Sequence, residues 1–375
     1  MEKPGAGLTY FPALTGLRAI AASLVFLHHY PPFLHFFHHN WPGKLFAEMH
    51  IGVSVFFVLS GFLIAFRYGQ AVSNSAAFFK PYFLNRFARI YPVFFLATML
   101  SFLWNGYQSW DRFQHIWPKM EQGLLVLLLN ITLLKGFFED LKFSLVGPSW
   151  SLTVEECFYL VAPFVLLAAK KSWLYVFAFC LAIVGAGLGL VSLMDLFPGR
   201  FAGFFGSFGF MFSYTFFGRC FEFCGGLLLG VLWSRQAYRV EGQAISCTWV
   251  GVLGIGFCMV ALSLYGTGTH SGDATTEGKL INNLLLPLPV CCLLHGLLLE
   301  KTWLSRLLGT SFFQFLGRSS YAFYLFHTGI LAMLLQHLPG LPYLVFFAGL
   351  WAVSAFIYIS FEEPLNQYIR KQIRA

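Results

Sequence analysis

Long apolar runs separated by short polar connections make up most of the chain. Ten of these runs approach the length of a membrane-crossing helix, which needs about 20 mainly apolar residues to span a hydrocarbon core of about 30 Å. They lie near Leu14–Phe37, Ile51–Phe66, Ile90–Asn105, Leu152–Ala169, Trp173–Leu196, Phe216–Trp233, Ile245–Tyr265, Leu280–Leu299, Phe312–Leu335 and Leu341–Phe361. The pattern predicts an all-α integral membrane protein with about ten transmembrane helices.

An eleventh apolar run, Leu124–Leu134, is too short to cross a bilayer and is flanked by Glu121 and Lys135. Such a run is typical of an interfacial or a re-entrant segment, and the sequence leaves both forms open. Counting it as a span would reverse every later helix and would place the basic pair Lys170–Lys171 outside. We therefore do not expect it to cross the membrane.

The distribution of lysine and arginine predicts the orientation, because short cytoplasmic loops carry an excess of these residues. With the N-terminus inside, sixteen of them fall on the cytoplasmic side and eight on the opposite side. We expect both termini to be cytoplasmic. We also expect residues 1–375 to form a single membrane domain without an appended soluble domain.

Composition supports the same class of protein. Of 375 residues, 58% are hydrophobic and 11% are charged, whereas an average soluble domain carries about 25% charged residues. So few charges cannot cover the surface of a soluble enzyme or a nucleic-acid-binding domain, and such apolar content excludes a disordered chain. The net charge of +8 follows from the topology signal and from attraction to anionic lipid headgroups, so we expect membrane lipids and no nucleic acid as partners.

The first predicted span carries an arginine and a histidine on one face. Arg18 and His29 are eleven residues apart, which on an α-helix gives an angular offset of about 20° and an axial separation of about 16 Å. Ionisable residues inside a span usually mark function. A histidine there suits a general base or a transient acyl carrier, and equally a proton relay in a transporter. The structural alternative is a topology anchor at Arg18 and a packed core histidine.

Two arginines precede the third span. Arg86 and Arg89 are three residues apart, so on a helix they point in the same direction. Two guanidinium groups on one face suit recognition of phosphate. Membrane topology explains the positive charge at this place equally well, but it does not require two arginines at this spacing.

The fourth predicted span opens with two successive carboxylates, Glu155 and Glu156. A helix N-terminus favours negative charge, so one of them has a plain structural explanation. Successive residues point in different directions on a helix. We therefore expect one of the two to face a cavity for an acceptor.

Two further spans carry polar side chains at a spacing of three residues. Arg219 and Glu222 in the sixth span are placed to neutralise each other, and the glycines behind them allow close helix approach. Tyr324 and His327 in the ninth span need polar partners within lipid, so we expect them to face the bundle interior. Both catalytic support and a structural network fit the second pair.

The loop after the first span is rich in histidine, which raises the question of a zinc site. No cysteine accompanies these residues, and Glu48 is the only carboxylate nearby. We therefore predict no metal. The histidines concerned are His35, His38, His39 and His50.

Seven segments of the chain resemble, in order, the motifs of the acyltransferase-3 family of integral-membrane O-acyltransferases. They are LTGLRAIAASLVFLHHY from Leu14, IGVSVFFVLSGFLI from Ile51, FLNRFARIYPVFFL from Phe83, GPSWSLTVEECFYLVAP from Gly147, GRCFEFCGGLLLG from Gly218, FLGRSSYAFYLFH from Phe315 and FEEPL from Phe361. Each segment alone is a weak signal, whereas seven in order are specific. The chain departs from the family pattern at two positions, with Cys157 in place of the usual Gln and Thr15 in place of the usual Asp. These differences leave the charged motifs intact and suggest a divergent acceptor.

The resemblance implies acetyl-CoA or another acyl-CoA as the acyl donor, entering from the cytoplasm of a bacterial cell. It implies a hydroxyl of a cell-envelope polysaccharide or of its lipid-linked precursor as the acceptor. The implied catalytic residues are His29, Arg18 and Glu156, with Arg86, Arg89 and Arg18 at the donor. Substrate or support roles are implied for Trp150, Ser151, Glu155, Tyr159, Arg219, Glu222, Tyr324 and His327.

Two alternatives remain open at the level of sequence. A transporter or flippase would use the buried ionisable residues as a proton relay, and it would move substrate without acyl-CoA turnover. Transporters often contain repeated halves, and no repeat is evident in this sequence. A related enzyme that acylates a small-molecule metabolite instead of a glycan is the other alternative.

Overall fold

The structure, a computed structural model, describes residues 10–32, 41–108, 120–197, 201–235, 246–267, 270–338 and 340–374. Within these residues the chain is helical, and its β-structure is limited to an isolated bridge between Phe138 and Phe204. Three histidines of the histidine-rich loop, His35, His38 and His39, lie outside the described residues.

The helices follow one another through short connections. They are α1 (Pro12–His29), α2 (Trp41–Ala47), α3 (Gly52–Tyr68), α4 (Ala76–Gln108), α5 (Met120–Ile131), α6 (Trp150–Lys171), α7 (Trp173–Met194), α8 (Phe208–Tyr214), α9 (Phe216–Arg235), α10 (Cys247–Tyr265), α11 (Thr276–Leu280), α12 (Pro287–Leu299), α13 (Trp303–Leu308), α14 (Ser311–Phe326), α15 (Ile330–Gln336), α16 (Tyr343–Ile357) and α17 (Glu363–Arg374). The 3-10 turn Glu48–Ile51 joins α2 to α3, and π-helical segments, Ile281–Leu285 and Tyr358–Glu362, precede α12 and α17.

Among the described residues, eight helical segments are long and apolar enough to cross a membrane. They are Trp41–Tyr68, Ala76–Trp104, Gly147–Lys171, Trp173–Met194, Phe208–Ser234, Cys247–Tyr265, Thr276–Leu299 and Tyr343–Gln372. These segments correspond to the second to eighth and the tenth predicted spans. The prediction of an all-α, multi-pass integral membrane protein is therefore confirmed.

The other two predicted spans differ from uniform helices. In the first, helix α1 ends at His29 because Pro31 and Pro32 follow, and Arg18 and the histidines lower its mean hydropathy. The remainder of this predicted span, residues 33–37, lies outside the described residues. The ninth, predicted as one helix, is broken between α14 and α15, where Gly329 has a φ of +97°. Glycine adopts this conformation without steric cost.

The short eleventh run forms α5, whose 12 residues reach about 18 Å. This helix is not among the candidate spans. Leu133, with a φ of +58°, ends it and leads into the 3-10 turn Leu134–Phe137. The length of α5 agrees with the expectation that this segment does not cross the bilayer.

The chain divides into two compact units. Unit 1 comprises Met1–Val72, Phe164–Val176 and Phe221–Ser320, and unit 2 comprises Ser73–Pro163, Phe177–Cys220 and Tyr321–Ala375. In unit 1, α1 packs against α3 and α13, and α10 packs against α12. The core of unit 1 is formed by apolar side chains from these helices, including Leu17, Phe62, Leu262, Leu294 and Leu308.

Two helices of unit 1, α3 and α9, approach each other closely through glycine. A Cβ atom added to Gly226 of α9 would lie 1.9 Å from the carbonyl oxygen of Val58 in α3. A Cβ on Gly61 of α3 would lie 2.0 Å from the carbonyl oxygen of Phe223. The predicted role of the α9 glycines in helix approach is confirmed at Gly226.

Replacing Gly226 with alanine is expected to destabilise the protein by about 1–3 kcal/mol, because the added methyl group overpacks the contact with Val58. The matched control is Gly225→Ala, whose Cβ would make an ordinary contact with Cys291 Sγ at 3.6 Å. Thermal unfolding in detergent compares the two variants. Equal unfolding temperatures would show that α3 and α9 accommodate the methyl group at position 226 without loss of stability.

A buried lysine holds together the segment before α6 in unit 2. Lys135 has no exposed side-chain surface, and its Nζ donates to the carbonyl oxygens of Ser144 at 2.5 Å and Val146 at 2.8 Å. Thr153 of α6 donates to the carbonyl oxygen of Leu133 at 2.5 Å. These bonds tie the segment to the N-terminal half of α6, where Glu155 and Glu156 lie.

We expect the free energy of unfolding to rise with pH between about 7 and 10.5 through Lys135. Burial lowers the pKa of Lys135 from 10.5 to about 7, so in this window the unfolded chain binds a proton that the folded chain does not. Lys135→Met should flatten this dependence and lower stability, since two carbonyl groups lose their donor. Thermal unfolding as a function of pH measures both effects.

The control for this measurement is Lys142→Met, at a partly exposed lysine that donates to the carbonyl oxygen of Glu139 at 2.9 Å. This variant should keep the pH dependence of the native protein. A dependence that survives in Lys135→Met would assign it to another group.

Candidate functional site

His29 lies in the last turn of α1 in unit 1, where its ring is oriented by its own helix. His29 Nδ1 is 2.9 Å from the carbonyl oxygen of Val25. Because a carbonyl oxygen only accepts, Nδ1 carries the hydrogen of the neutral ring and Nε2 is the basic nitrogen. The local helix thus selects the tautomer that presents Nε2 as a base or nucleophile.

Arg18, about three turns earlier on α1, is held within unit 1. Its Nε donates to Ser320 Oγ at 3.4 Å, and its guanidinium carbon lies 6.0 Å from the centre of the Phe56 ring. Since α1 is continuous from Arg18 to His29, the predicted axial separation of about 16 Å stands. The contacts with Ser320 and Phe56 show that Arg18 is packed among helices, beyond what a topology anchor requires.

Four further titratable side chains surround the end of α1 in unit 1. The His28 ring centre lies 4.9 Å from that of His29 and 5.6 Å from that of His50. His50 Nε2 lies 3.6 Å from Asp273 Oδ2, and its Nδ1 lies 3.8 Å from Glu48 Oε2. Sequence reasoning considered Glu48 and His50 for a metal only, and it gave no signal for Asp273.

In unit 2, Arg86 of α4 and Tyr159 of α6 form the centre of a second polar cluster. The Arg86 guanidinium carbon lies 5.5 Å from the centre of the Tyr159 ring, and both side chains are buried. The Tyr159 hydroxyl donates to Glu155 Oε1. Tyr82 donates to the Tyr159 carbonyl oxygen at 2.9 Å, so Tyr82 and Arg86 of α4 meet Glu155 and Tyr159 of α6 at this place.

Glu156 and Arg89 belong to the same cluster. Glu156 interacts electrostatically with Arg86 and Glu155, and its buried Oε1 has no hydrogen-bond partner among the described residues. Arg89 interacts electrostatically with Tyr159 and is more exposed than Arg86. A buried carboxylate oxygen without a partner is unusual in native proteins and calls for an explanation.

The end of α14 in unit 2 carries a hydroxyl pair. Ser151 Oγ and the Tyr324 hydroxyl are 2.8 Å apart, and both bond the carbonyl oxygen of Pro148. His327, at the break between α14 and α15, has its Nδ1 2.7 Å from the carbonyl oxygen of Tyr324. Ser151 and Tyr324 therefore form a side-chain pair, and His327 bonds the backbone one turn earlier. The predicted support role of these residues stays a prediction.

The remaining predicted support residues occupy packed positions. Trp150 stacks edge-on against Tyr214, with ring centres 4.9 Å apart. Arg219 is buried, donates to the carbonyl oxygen of Ser213 at 3.0 Å, and interacts electrostatically with Tyr324. Glu222 is completely buried in unit 1, and the predicted neutralisation of Arg219 by Glu222 stays a prediction.

The sequence profile of a family described as an acyltransferase domain, the acyltransferase-3 family, matches residues 11–361. The chain belongs to the acyltransferase-3 family. The matched range contains every residue predicted for the site. Among the residues that the structure describes, no group of three or more His, Cys, Asp or Glu side chains is arranged to hold a metal ion.

Several bacterial proteins resemble this acyltransferase-3 chain. It is 26% identical over 340 residues to the proposed peptidoglycan O-acetyltransferase YrhL of Bacillus subtilis, covering 86% of this chain and 49% of the relative. It is 25% identical over 342 residues to the peptidoglycan O-acetyltransferase OatA of Listeria monocytogenes, covering 86% and 50%. A proposed O-acetyltransferase of Staphylococcus aureus, SACOL0978, is 21% identical over 381 residues, covering 98% and 59%.

The acyltransferase-3 chain spans about half the length of the curated relatives it matches. No solved structure matches it. The family motifs are divided between the two units. Arg18 and His29 belong to unit 1, whereas Arg86, Arg89 and Glu156 belong to unit 2.

Sequence reasoning missed two tyrosines beside the motif residues of unit 2. Tyr82 bonds the backbone of α6, and Tyr321 donates to the carbonyl oxygen of Ile90 at 2.8 Å. Tyr321 lies inside a segment that was singled out by resemblance, and Tyr82 directly precedes another. Their aromatic character in an apolar run gave no reason to separate them from ordinary core residues.

Proposed function

We propose that this protein is a membrane-embedded O-acyltransferase. It moves an acyl group, acetyl in the simplest case, from cytoplasmic acyl-CoA to a hydroxyl of a cell-envelope polysaccharide or its lipid-linked precursor. Membership of the acyltransferase-3 family and the O-acetyltransferase activities for which the relatives are named support this proposal. A bacterial cytoplasmic membrane is the proposed location, with both termini on the cytoplasmic side.

The observation that carries the proposal is the orientation of His29. Its Nδ1 bond to the Val25 carbonyl oxygen leaves Nε2 as the basic atom on a helix that also holds Arg18. In this proposal Nε2 either removes the proton of the acceptor hydroxyl or accepts the acyl group transiently. In the first route the hydroxyl oxygen attacks the thioester carbon, the carbon–sulfur bond breaks, and His29 returns the proton to the leaving thiolate.

Arg86 and Arg89 are the proposed contacts of the donor. Coenzyme A carries phosphate groups, which guanidinium groups bind well and which cannot enter hydrocarbon. Arg89 is the more exposed of the two, and it is proposed to meet the phosphates first. Arg86, buried against Tyr159, is proposed to hold the inner part of the donor site.

Glu156 is proposed to bind the acceptor hydroxyl. Its buried Oε1 has no hydrogen-bond partner among the described residues, so a hydroxyl donor would satisfy it. The network of Ser151, Tyr324 and the Pro148 carbonyl lies in the same unit and is proposed to support this region, together with Trp150 and His327.

The proposed function is tested by incubating membranes that contain the protein with labelled acetyl-CoA. Label is expected in glycan polymer or in the lipid-linked glycan fraction, and it should be absent from membranes without the protein. Label in a small-molecule fraction would instead support the metabolite acyltransferase. Substrate flux without consumption of acetyl-CoA would support a transporter and contradict the proposal.

A further inference from the structure

A cavity of about 580 Å³ lies within unit 2, beside the break between α14 and α15. Its walls come from α4, α14, α15 and α16 and from Val146, which precedes α6. Apart from Ser101, Trp104 and Thr328, the side chains that line it are hydrocarbon. The volume falls in the range of about 300–1,000 Å³ that small-molecule sites occupy. The reaction proposed above uses none of these residues, so the cavity needs an account.

The lining of the cavity selects a hydrocarbon occupant. A buried water needs roughly two to four polar partners, and the side chains on these walls offer few. A charged or strongly polar ligand would lose its hydration without replacement. A hydrocarbon chain, in contrast, leaves water and gains contacts with aliphatic side chains such as Leu325, Ile330 and Val353.

The cavity extends from the interior of unit 2 to its surface. Ala97, Val146 and Leu325 are buried, with exposed fractions of 2%, 4% and 1%. Leu103 and Leu334 line the same cavity, and they are 66% and 49% exposed. Since Ala97 and Leu103 belong to a membrane-crossing segment, the exposed part of the wall faces lipid. A hydrocarbon chain can therefore enter the cavity sideways from the bilayer.

Helical rise places the cavity towards the outer side of the membrane. Ala97 and Trp104 follow Arg89 on α4 by 8 and 15 residues, which correspond to about 12 and 22 Å along the helix. With Arg89 at the cytoplasmic boundary, as the predicted orientation requires, this interval runs from near the centre into the outer half of a core about 30 Å thick. The proposed acceptor, a cell-envelope glycan, is reached from that side.

The cavity adjoins the hydroxyl pair of Ser151 and Tyr324. Leu325, the residue after Tyr324, lines the cavity. Val146 lines it as well, two residues before Pro148, whose carbonyl oxygen accepts from both hydroxyls. Unit 2 thus places polar groups beside an apolar cavity, and this arrangement matches a ligand with a polar head and a long apolar chain.

The hydroxyl of Thr328 lies at the boundary between the polar and the apolar part. Thr328 lines the cavity, and a Cβ atom added to Gly147 would lie 3.8 Å from its Oγ1. This oxygen is buried and has no hydrogen-bond partner among the described residues. Buried hydroxyls in native proteins usually have a partner. A polar linkage between the head and the chain of a ligand would supply the missing bond.

We propose that this cavity binds the hydrocarbon chain of a lipid-linked glycan. The chain lies against α4, α15 and α16, and the polar linkage lies near Thr328 and the hydroxyl pair. The proposal rests on the proposed function and selects the lipid-linked precursor from its two acceptors. Acylation then precedes the reaction that transfers the glycan from its lipid carrier to the polymer.

The test compares a lipid-linked glycan, extracted from membranes of the producing cells, with the same glycan after its release from the lipid by mild acid. Labelled acetyl-CoA is the donor for both. At low acceptor concentration, transfer to the lipid-linked form should be at least about tenfold faster, since burial of about two CH₂ groups suffices for tenfold tighter binding. Equal rates would overturn the proposal.

Two substitutions that fill the cavity from different helices are Ser101→Phe on α4 and Val353→Phe on α16. Each should raise the Michaelis constant for the lipid-linked glycan about tenfold, while the rate with released glycan and the constant for acetyl-CoA stay native. The matched control is Val345→Phe, at an exposed residue of α16 outside the cavity, and it should change none of these values.

Native constants in both filled variants would contradict the proposal. A second contradictory result is a loss confined to longer acyl-CoA donors, which would assign the cavity to the acyl chain of the donor.

A binding measurement covers the cases in which the variants do not fold or no acyl group is transferred. The probe is a photoreactive isoprenyl diphosphate, and mass spectrometry identifies the residues of the native protein to which it is crosslinked. We expect crosslinks at cavity residues such as Leu331, displaced by the extracted lipid-linked glycan and not by phosphatidylglycerol. Equal displacement by this phospholipid would indicate an ordinary bilayer contact and would overturn the proposal. Selective crosslinking in a protein that transfers no acyl group would contradict the proposed function alone.

Discussion

Replacing His29 with alanine is expected to lower acyl transfer by about 10²–10⁴-fold, which is the usual contribution of a positioned general base. The loss follows from removal of Nε2, the basic nitrogen that the Val25 carbonyl selects. Transfer of label from acetyl-CoA to the acceptor fraction measures it. Because His29 lies in the last turn of α1, the variant is expected to insert and fold.

The matched control is His337→Ala. His337 makes the same bond to its own chain, with Nδ1 2.7 Å from the carbonyl oxygen four residues earlier, but its side chain is exposed. This variant should keep full activity. Native rates in His29→Ala would contradict the assignment of the base. Incubation with labelled acetyl-CoA in the absence of acceptor tests for a labelled acyl-enzyme. If this species forms in the native protein and is lost in His29→Ala, His29 carries the acyl group and does not act only as a base.

Replacing Glu156 with glutamine is expected to lower acyl transfer by about 10²-fold, at the lower end of the range for a group that guides a proton. Glutamine keeps the size of the side chain and removes the negative charge that is proposed to bind the hydroxyl group of the acceptor substrate. The Michaelis constant for the acceptor should rise, whereas that for acyl-CoA should stay close to the native value. Steady-state kinetics with each substrate varied in turn separates the two.

Glu277→Gln is the matched control, because Glu277 is an exposed carboxylate on α11. It should leave both constants unchanged. A change in the Michaelis constant for acyl-CoA alone would assign Glu156 to the donor site instead of the acceptor site. Unchanged kinetics in Glu156→Gln would remove it from the site altogether.

Much of the fold could be predicted because hydropathy is a local property. A run of about 20 apolar residues has few alternatives to a membrane helix, since only helices satisfy their backbone within one segment of lipid-embedded chain. The break in the ninth span is the main departure. It depends on Gly329 and the three residues between α14 and α15, and a single glycine in an apolar run does not reveal whether a helix continues.

Part of the site could be predicted because some of its residues lie on one helix at a spacing that puts them on the same face. Helical spacing placed Arg18 and His29 on one face, and α1 is continuous between them. Spacing also paired Tyr324 with His327, and the structure joins them through the Tyr324 carbonyl. Local spacing works where both members of a pair lie on one helix.

By itself, then, the sequence determined the class of fold, nearly all the spans and the family motifs, because each depends on neighbours within one helix. The tertiary structure decided which motifs meet. Tyr82 reaches α6 across 77 residues, and Glu48 meets the N–H group of Gly272 across 224 residues. Such contacts leave no periodic trace in the chain, because packing between helices depends on side chains that are far apart in sequence.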